Sequence, residues 1–553
     1  MSRDVSELEQ VYFEKLKTPA TWSGIPTKPL YGPQEVARLD YERDLGNPGE
    51  YPFTRGVYAD MYRGRLWTRR EVCGFGSPKD TNQRLRFQID QGVSGLSVID
   101  DNNGSLGIDA DHPMGIDEAG VQGVSLNSLR DMEELFEGIP IDKVSMSFDI
   151  SGLECIAWMA MYVATAERRG IDPADLRGTV QNDALHFQYC GYGHSCPVDL
   201  GLKASVDIIE FCSKKMPKWY TGNANLYDMR EGGLDAPQEV AFGLSLAIAY
   251  VEKALERGLA IDEFAPRRAF YCSCHIDFFE EVAKLRAARR LWARIMRERF
   301  GAKDPRSWQF RFGVHTAGVS LYPQQPLNNA IRIAYEALAA VLAGAQSLHC
   351  CSYDEPIGLP TENSLTLAIR TQQVLAYETG AGRVADPLGG SWYVESLTDR
   401  IEQDAVKVMD EIRRQGGMIA AIKSGWVQKE VDAAAEKRQR EVESGEKLIV
   451  GVNAFRTERE KATPGGAHRE PPGQGERLAA AVRELKRTRD QRRVREELRR
   501  LHERAQGGEK VNLLPPMIEA AKAWATLSEM LGTIRVATGQ PYDPLGVVQP
   551  PGF

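Results

Sequence analysis

Two short stretches carry side chains able to ligate a metal, Cys272-Ser-Cys274-His275 and His349-Cys350-Cys351. Thiolates and imidazoles are the usual zinc ligands, but zinc loops place them two to four residues apart around a turn. Both stretches fall in strand-like runs, where neighbouring side chains face opposite ways. They read as small residues lining a sheet face, and no metal site is expected. The sequence holds nine cysteines. An odd number without a CxxC pair gives no disulfide framework and points to reduced thiols in a cytoplasmic protein.

A second chemical signal lies in how polar residues alternate along two runs. Val144, Met146, Phe148 and Ile150 alternate with Ser145, Ser147, Asp149 and Ser151, and Trp308, Phe310, Phe312 and Val314 with Gln309, Arg311, Gly313 and His315. Side chains in a strand have period two, so each run has one apolar and one polar or small face. An ordinary parallel barrel fills its interior with bulky branched residues. Here the apolar faces would meet helices, leaving a polar interior suited to a polar ligand lying along the axis.

The elements that must position these residues alternate along the chain. Strand candidates are 95–100, 143–150, 178–183, 220–226, 269–276, 309–316, 346–354 and 383–387, with helical stretches between them. That order predicts an α/β fold, a (β/α)8 barrel over 51–400. Residues 1–50, rich in Pro, Gly and Tyr, read as an extended arm that packs on the body of the chain or on a partner. Residues 401–553 read as a helical extension with a Pro/Gly break at 464–475. Within it, 477–504 reads as one basic helix whose stripe of Leu478, Val482, Leu485, Val494, Leu498 and Leu501 packs inward. The last twenty residues read as poorly ordered or bound to a partner.

Composition narrows the function. The 553 residues are 42% hydrophobic and 26% charged, and the net charge is -8. An acidic balance argues against nucleic-acid binding, whose footprint is basic. No uncharged apolar run approaches the roughly 18 residues a membrane span needs. The N-terminus has alternating charges and no apolar core, so no signal peptide is expected.

Long dispersed motifs then carry a resemblance: YPFTRGVYADMYRGRLWTRR (51–70), GTVQND (178–183), EFAPRRAF (263–270), AKLRAARRLW (283–292), AGAQSLH (343–349) and RVADPLGGSWYVESLT (383–398). In register from Tyr51 to Arg456, the chain resembles the large subunit of the methylmalonyl-CoA mutase family. The resemblance implies a barrel threaded by coenzyme A, and radical chemistry from adenosylcobalamin, because hydrogen on an unactivated carbon is beyond any side-chain base. The family's cobalt-binding DxHxxG motif occurs nowhere in the 553 residues. By resemblance, a separate small subunit supplies the cobalt ligand, in an α2β2 heterotetramer.

The same resemblance implies roles. Tyr58, Asp60, Arg65, Arg70, Ser97, Arg267 and Arg311 match positions contacting coenzyme A, though at Asp60 the family often has threonine. Arginines suit phosphate oxygens. Gln181, Tyr227 and Asp228 fall at catalytic positions, and Tyr271 in the acyl pocket. Glu231 and Glu355 match acids beside the adenosine ribose, with Val319 and Cys351 on the same side.

The departures bear on substrate. Gly191 replaces the arginine, and Val72 the tyrosine, that hold the carboxylate of methylmalonyl-CoA. An anion buried without its guanidinium is strongly disfavoured. Asp228 replaces a histidine that polarises the thioester carbonyl, and only a protonated Asp donates a hydrogen bond. Asp100 stands for Phe, His315 for Gln, Val319 for Trp and Cys351 for Asn. Gly191, Val72 and Val319 enlarge the pocket, while Asp100, Asp228 and His315 add polar groups. The expected substrate is an aryl- or alkylsuccinyl-CoA or a branched hydroxyacyl-CoA. Relatives acting on 2-hydroxyisobutyryl-CoA carry an aliphatic residue at the Val72 position and an acid that would align with Ile99. The competing reading is a non-catalytic relative that binds coenzyme A or the small subunit without turnover. Retention of the arginines, Gln181, Tyr227, Glu231 and Glu355 favours an active enzyme.

Overall fold

The computed structural model describes residues 5–17, 19–188, 196–456 and 471–550. It is a mixed α/β protein with two parallel five-stranded sheets. Among the described residues the strands are β1 (Thr68–Arg70), β2 (Val72–Cys73), β3 (Gly95–Ile99), β4 (Ser145–Asp149), β5 (Arg177–Val180), β6 (Trp219–Tyr220), β7 (Gly222–Asn225), β8 (Arg268–Cys274), β9 (Phe312–Thr316) and β10 (Ser347–His349). Two compact units divide the chain. One comprises Met1–Arg69, Asn225–Leu246 and Phe270–His468, the other Arg70–Ala224, Ala247–Ala269 and Arg469–Phe553.

In the second unit the sheet order is β2-β3-β4-β5-β6. The register pairs Val72 with Ser97, Ser97 with Ser147, and Ser147 with Thr179. The alternation therefore resolves as expected. Ser97, Ser147 and Thr179 share one face, and Leu96, Val98, Met146 and Phe148 are buried on the other. Phe148 packs edge-on against Trp158 and Tyr162, with centroids 5.6 and 4.9 Å apart. Trp158 and Tyr162 belong to helix Glu154–Arg168, buried almost all round because apolar and small residues occupy every face of it.

The other sheet has the order β1-β10-β9-β8-β7, and β9, β10 and most of β8 belong to the first unit. Tyr271 pairs with Gly313 and Ser273 with His315, and Gly313 in turn pairs with Ser347 and His315 with His349. These six residues form the polar face. On the apolar face Phe270 stacks on Phe310 at 3.9 Å and meets Trp292 at 4.9 Å. The N-terminal segment lies on the helices of this unit. Ile25 packs with Ala283, Ala287, Leu397 and Ile401, and the Trp22 amide donates to Asp277 at 2.6 Å.

Three expectations are corrected. Residues 383–387 form turns, not a strand. Asp386 takes a left-handed φ of 50°, and its carboxylate receives the Arg55 guanidinium at 3.0 Å and that of Arg286. A side chain fixed by two cations in a left-handed turn does not suit a strand. The short strands β1 and β2, at 68–73, were absent from the expected set.

The basic helix is two helices, Gln474–Thr488 and Gln491–Ala505. Asp490 ends the first and caps the second, accepting from the amides of Arg492 at 3.0 Å and Arg493 at 3.1 Å. The packing stripe holds across the break, with Val482, Val494, Leu498 and Leu501 buried.

The C-terminal tail is anchored within its unit. Helix Leu527–Ala537 is followed by Tyr542 and Asp543, both buried. Asp543 accepts from the amides of Val547 at 2.7 Å and Val548 at 2.8 Å and lies 3.1 Å from His112 Nε2. Asp543→Ala removes the acceptor of two amides and the partner of buried His112. We expect a loss of about 1–3 kcal/mol in a urea melt, and an unchanged midpoint would contradict the anchoring role.

Candidate active site

The polar face of the first unit leads to a cluster at the ends of its strands. At the end of β7, the Asn225 side chain accepts from the Asp228 amide at 3.1 Å, in the first turn of the short helix Tyr227–Glu231. Its own amide donates to Asp228 Oδ2 at 2.7 Å, which fixes that carboxylate. Tyr227 lies 5.4 Å from Tyr271 of β8 and 4.5 Å from His315 of β9, ring centre to ring centre. His315 stacks on His349 of β10 at 3.8 Å, their planes 15° apart. Cys351, two residues past His349, places Sγ 3.6 Å from His315 Nδ1 and 3.0 Å from the carbonyl of Thr316.

Two carboxylates close the cluster. The Val319 amide donates to Glu231 Oε2 at 2.6 Å, and Arg438 binds the Val319 carbonyl at 2.7 Å. Gly318 sits where a methyl group would meet Glu355 Oε1 at 3.1 Å, and Glu231 Oε2 and the Tyr227 hydroxyl at 3.3 Å each. Three oxygens, two from the helix Tyr227–Glu231 and one from Glu355, thus converge on Gly318. Burial pushes Glu231 up to about 8, against the pull of the Val319 amide. It likewise pushes Glu355 up to about 7. Burial holds His315 down to about 4 and His349 well below its ordinary value, so both imidazoles are neutral at neutral pH. Tyr227 is raised by burial and by neighbouring Glu231, and stays a phenol.

Tyr227, Asp228, Glu231, Tyr271, His315, Val319, Cys351 and Glu355 are therefore gathered in one unit. The same unit holds Arg311, buried and bonded through its guanidinium to Gln309 Oε1. Tyr58, Asp60 and Arg65 are exposed on the segment around the turn Met61–Arg63.

The remaining candidates belong to the second unit. Arg70 reaches over the start of β4, donating to the Ser145 carbonyl at 3.0 Å and Oγ at 2.6 Å. Ser97 donates to Asp149 Oδ2 at 2.5 Å. Val72 is the register partner of Ser97. Gln181 follows β5, its amide bonded to the Phe148 carbonyl at 2.9 Å. The Arg267 guanidinium stacks over Tyr220 at 5.6 Å. Gly191 lies outside the described residues.

Asp100, at the end of β3, is buried and accepts from Ser105 Oγ at 3.0 Å. Burial, then the adjacent Asp101, raises its carboxyl well above the ordinary range. Sequence reasoning assigned no site role to Asn225, Gly318 or His349. Only the spacing of His349 and Cys351, two residues apart and hence on one side, hinted at the last.

A family model described as methylmalonyl-CoA mutase matches residues 20–540. The 2-hydroxyisobutanoyl-CoA mutase large subunit of Aquincola tertiaricarbonis is 40% identical over 93% of this chain and 91% of its own length. The methylmalonyl-CoA mutase of Cereibacter sphaeroides is 40% identical over 92% of this chain and 71% of its own. For the human mitochondrial methylmalonyl-CoA mutase the figures are 36%, 94% and 68%. Among the described residues no helix is long and apolar enough to cross a membrane. Family and relatives agree on one class of chemistry, isomerisation of an acyl-CoA with a cobalamin cofactor. This chain belongs to the methylmalonyl-CoA mutase family.

Proposed function

We propose that this chain is the substrate-binding large subunit of an adenosylcobalamin-dependent acyl-CoA mutase that rearranges the carbon skeleton of a branched hydroxyacyl-CoA. The observation that carries this reading is the convergence of the Tyr227 hydroxyl with Glu231 and Glu355 at Gly318. A partly buried pair of acids beside a neutral tyrosine suits the hydroxyl groups of a ribose. Glu231 Oε1 is buried and has no hydrogen-bond partner among the described residues, so it retains acceptor capacity.

When bound, adenosylcobalamin supplies the radical chemistry that moves hydrogen from an unactivated carbon. The chain's own residues position and shield. Glu231 and Glu355 hold the ribose hydroxyls, and Tyr227 and Tyr271 wall the acyl group from water. Arg65, Arg70, Arg267 and Arg311, with Tyr58, Asp60 and Ser97, bind coenzyme A. Gln181 and Asp228 orient the acyl end, and neutral His315 offers a ring nitrogen to a substrate hydroxyl. Asp100, whose carboxyl burial raises, adds a polar group to the acyl pocket. An aryl- or alkylsuccinyl group carries a carboxylate for which Gly191 provides no arginine, and this favours a hydroxylated acyl group.

The small cobalamin-binding subunit belongs to the same proposal. The chain spans 91% of a relative named a large subunit. An α2β2 assembly in the cytoplasm, with residues 51–400 closed into a (β/α)8 barrel between an arm at 1–50 and a helical extension at 401–553, completes the reading.

Substrate choice tests it. With Gly191→Arg and Val72→Tyr combined, turnover of the native hydroxyacyl-CoA should fall at least about tenfold, the scale of a reshaped pocket. Undiminished turnover in an isomerisation assay would remove both positions from the pocket.

A further inference from the structure

His315, His349 and Cys351 do more than line a face. One potential ligand atom from each lies within 4.8 Å of the other two, and among the described residues no other such group is gathered. Their convergence follows from the strand pairing. His315 and His349 are register partners on β9 and β10, so their rings share a side. Cys351 lies two residues past His349, and its thiol turns towards the Thr316 carbonyl at 3.0 Å. His315 and Cys351 are buried, and His349 is partly so.

We propose that His315, His349 and Cys351 form a binding site for a zinc-class transition-metal cation, with three protein ligands and an open fourth position.

The donor set decides the class of ion. Two imidazoles and a thiolate suit borderline and soft cations, whereas magnesium and calcium require oxygen ligands. Three protein ligands with a vacant fourth position are the pattern of reactive rather than purely structural zinc sites. The ion would displace the proton of the Cys351 thiol, now directed at the Thr316 carbonyl. The site lies beside Tyr227, whose ring centre is 4.5 Å from that of His315. A fourth ligand, water or an acyl oxygen, would enter from that side. Nothing in the mutase reading requires such an ion.

The test reads metal binding alone. The full chain, free of cobalamin and stripped with a chelator, is titrated anaerobically with cobalt(II). The expected result is saturation at a single equivalent, with an intense near-ultraviolet thiolate-to-cobalt band that zinc(II) abolishes. Cys351→Ser should lose that band. Cys212→Ser, which removes a buried thiol on helix Val198–Lys215, should keep it. His349→Gln should abolish the single-equivalent saturation, which decides the matter if the Cys351 variant does not fold. A wild-type chain without the band, or a band that survives Cys351→Ser, overturns the proposal. Because no turnover is read, failure here leaves the mutase reading standing.

Discussion

Glu231→Gln should stabilise the cobalamin-free chain at about pH 9 by about 2–4 kcal/mol and leave it nearly unchanged at about pH 4.5. The folded carboxyl keeps its proton up to about 8, against 4.5 in the ordinary state. Between those values the folded state binds more protons than the unfolded one. Its contribution is fully present below 4.5 and is lost as pH rises through about 8. Above that, a charge sits in a site that desolvates it, held by the Val319 amide. Glutamine keeps an oxygen for that amide and never ionises, so the penalty disappears. Glu355 is raised for the same reason, so the double variant Glu231→Gln, Glu355→Gln should gain further at high pH. Urea melts at the two pH values measure this. Equal differences at both would show that Glu231 is not a desolvated acid.

Gly318→Ala should lower turnover of the cobalamin-loaded enzyme about 100-fold, the scale of a sub-ångström to ångström displacement of positioning groups. The added methyl group would press on Glu355 Oε1, Glu231 Oε2 and the Tyr227 hydroxyl at 3.1–3.3 Å. Each must yield by a few tenths of an ångström. Gly318 has no positive φ, so alanine fits its backbone and global stability should change little. Steady-state kinetics beside a thermal melt separate the outcomes. Full activity would mean that these oxygens do not set the reacting geometry, and a large drop in Tm would make the effect structural.

The alternation within 144–151 and over 312–316 was legible because period two leaves a direct trace in the chain, and β4 and β9 carry the expected polar faces, whereas 308–311 lie outside the strand. Strands β1 and β2 were not, since three and two residues are too short to show alternation. The turn at 383–387 was misread because Val384 and Ala385 look strand-like, while the two arginines that hold Asp386 are distant in sequence. Asp490 was passed over because no Gly or Pro marks the break, and only the cap geometry shows it. The positions of Tyr227, Glu231, His315, Cys351 and Glu355 were accessible through family motifs. The burial that shifts Glu231 and Asp100, and the convergence on Gly318, arise from strand register and packing, and no local pattern encodes them.

The most direct test of the central claim mixes this chain with a small cobalamin-binding subunit, adenosylcobalamin and a branched 2-hydroxyacyl-CoA. Isomer formation is then followed by chromatography with mass detection. The account predicts a straight-chain isomer that appears only when all components are present, with methylmalonyl-CoA converted far more slowly. Preferred conversion of methylmalonyl-CoA, or isomerisation without cobalamin, would contradict it.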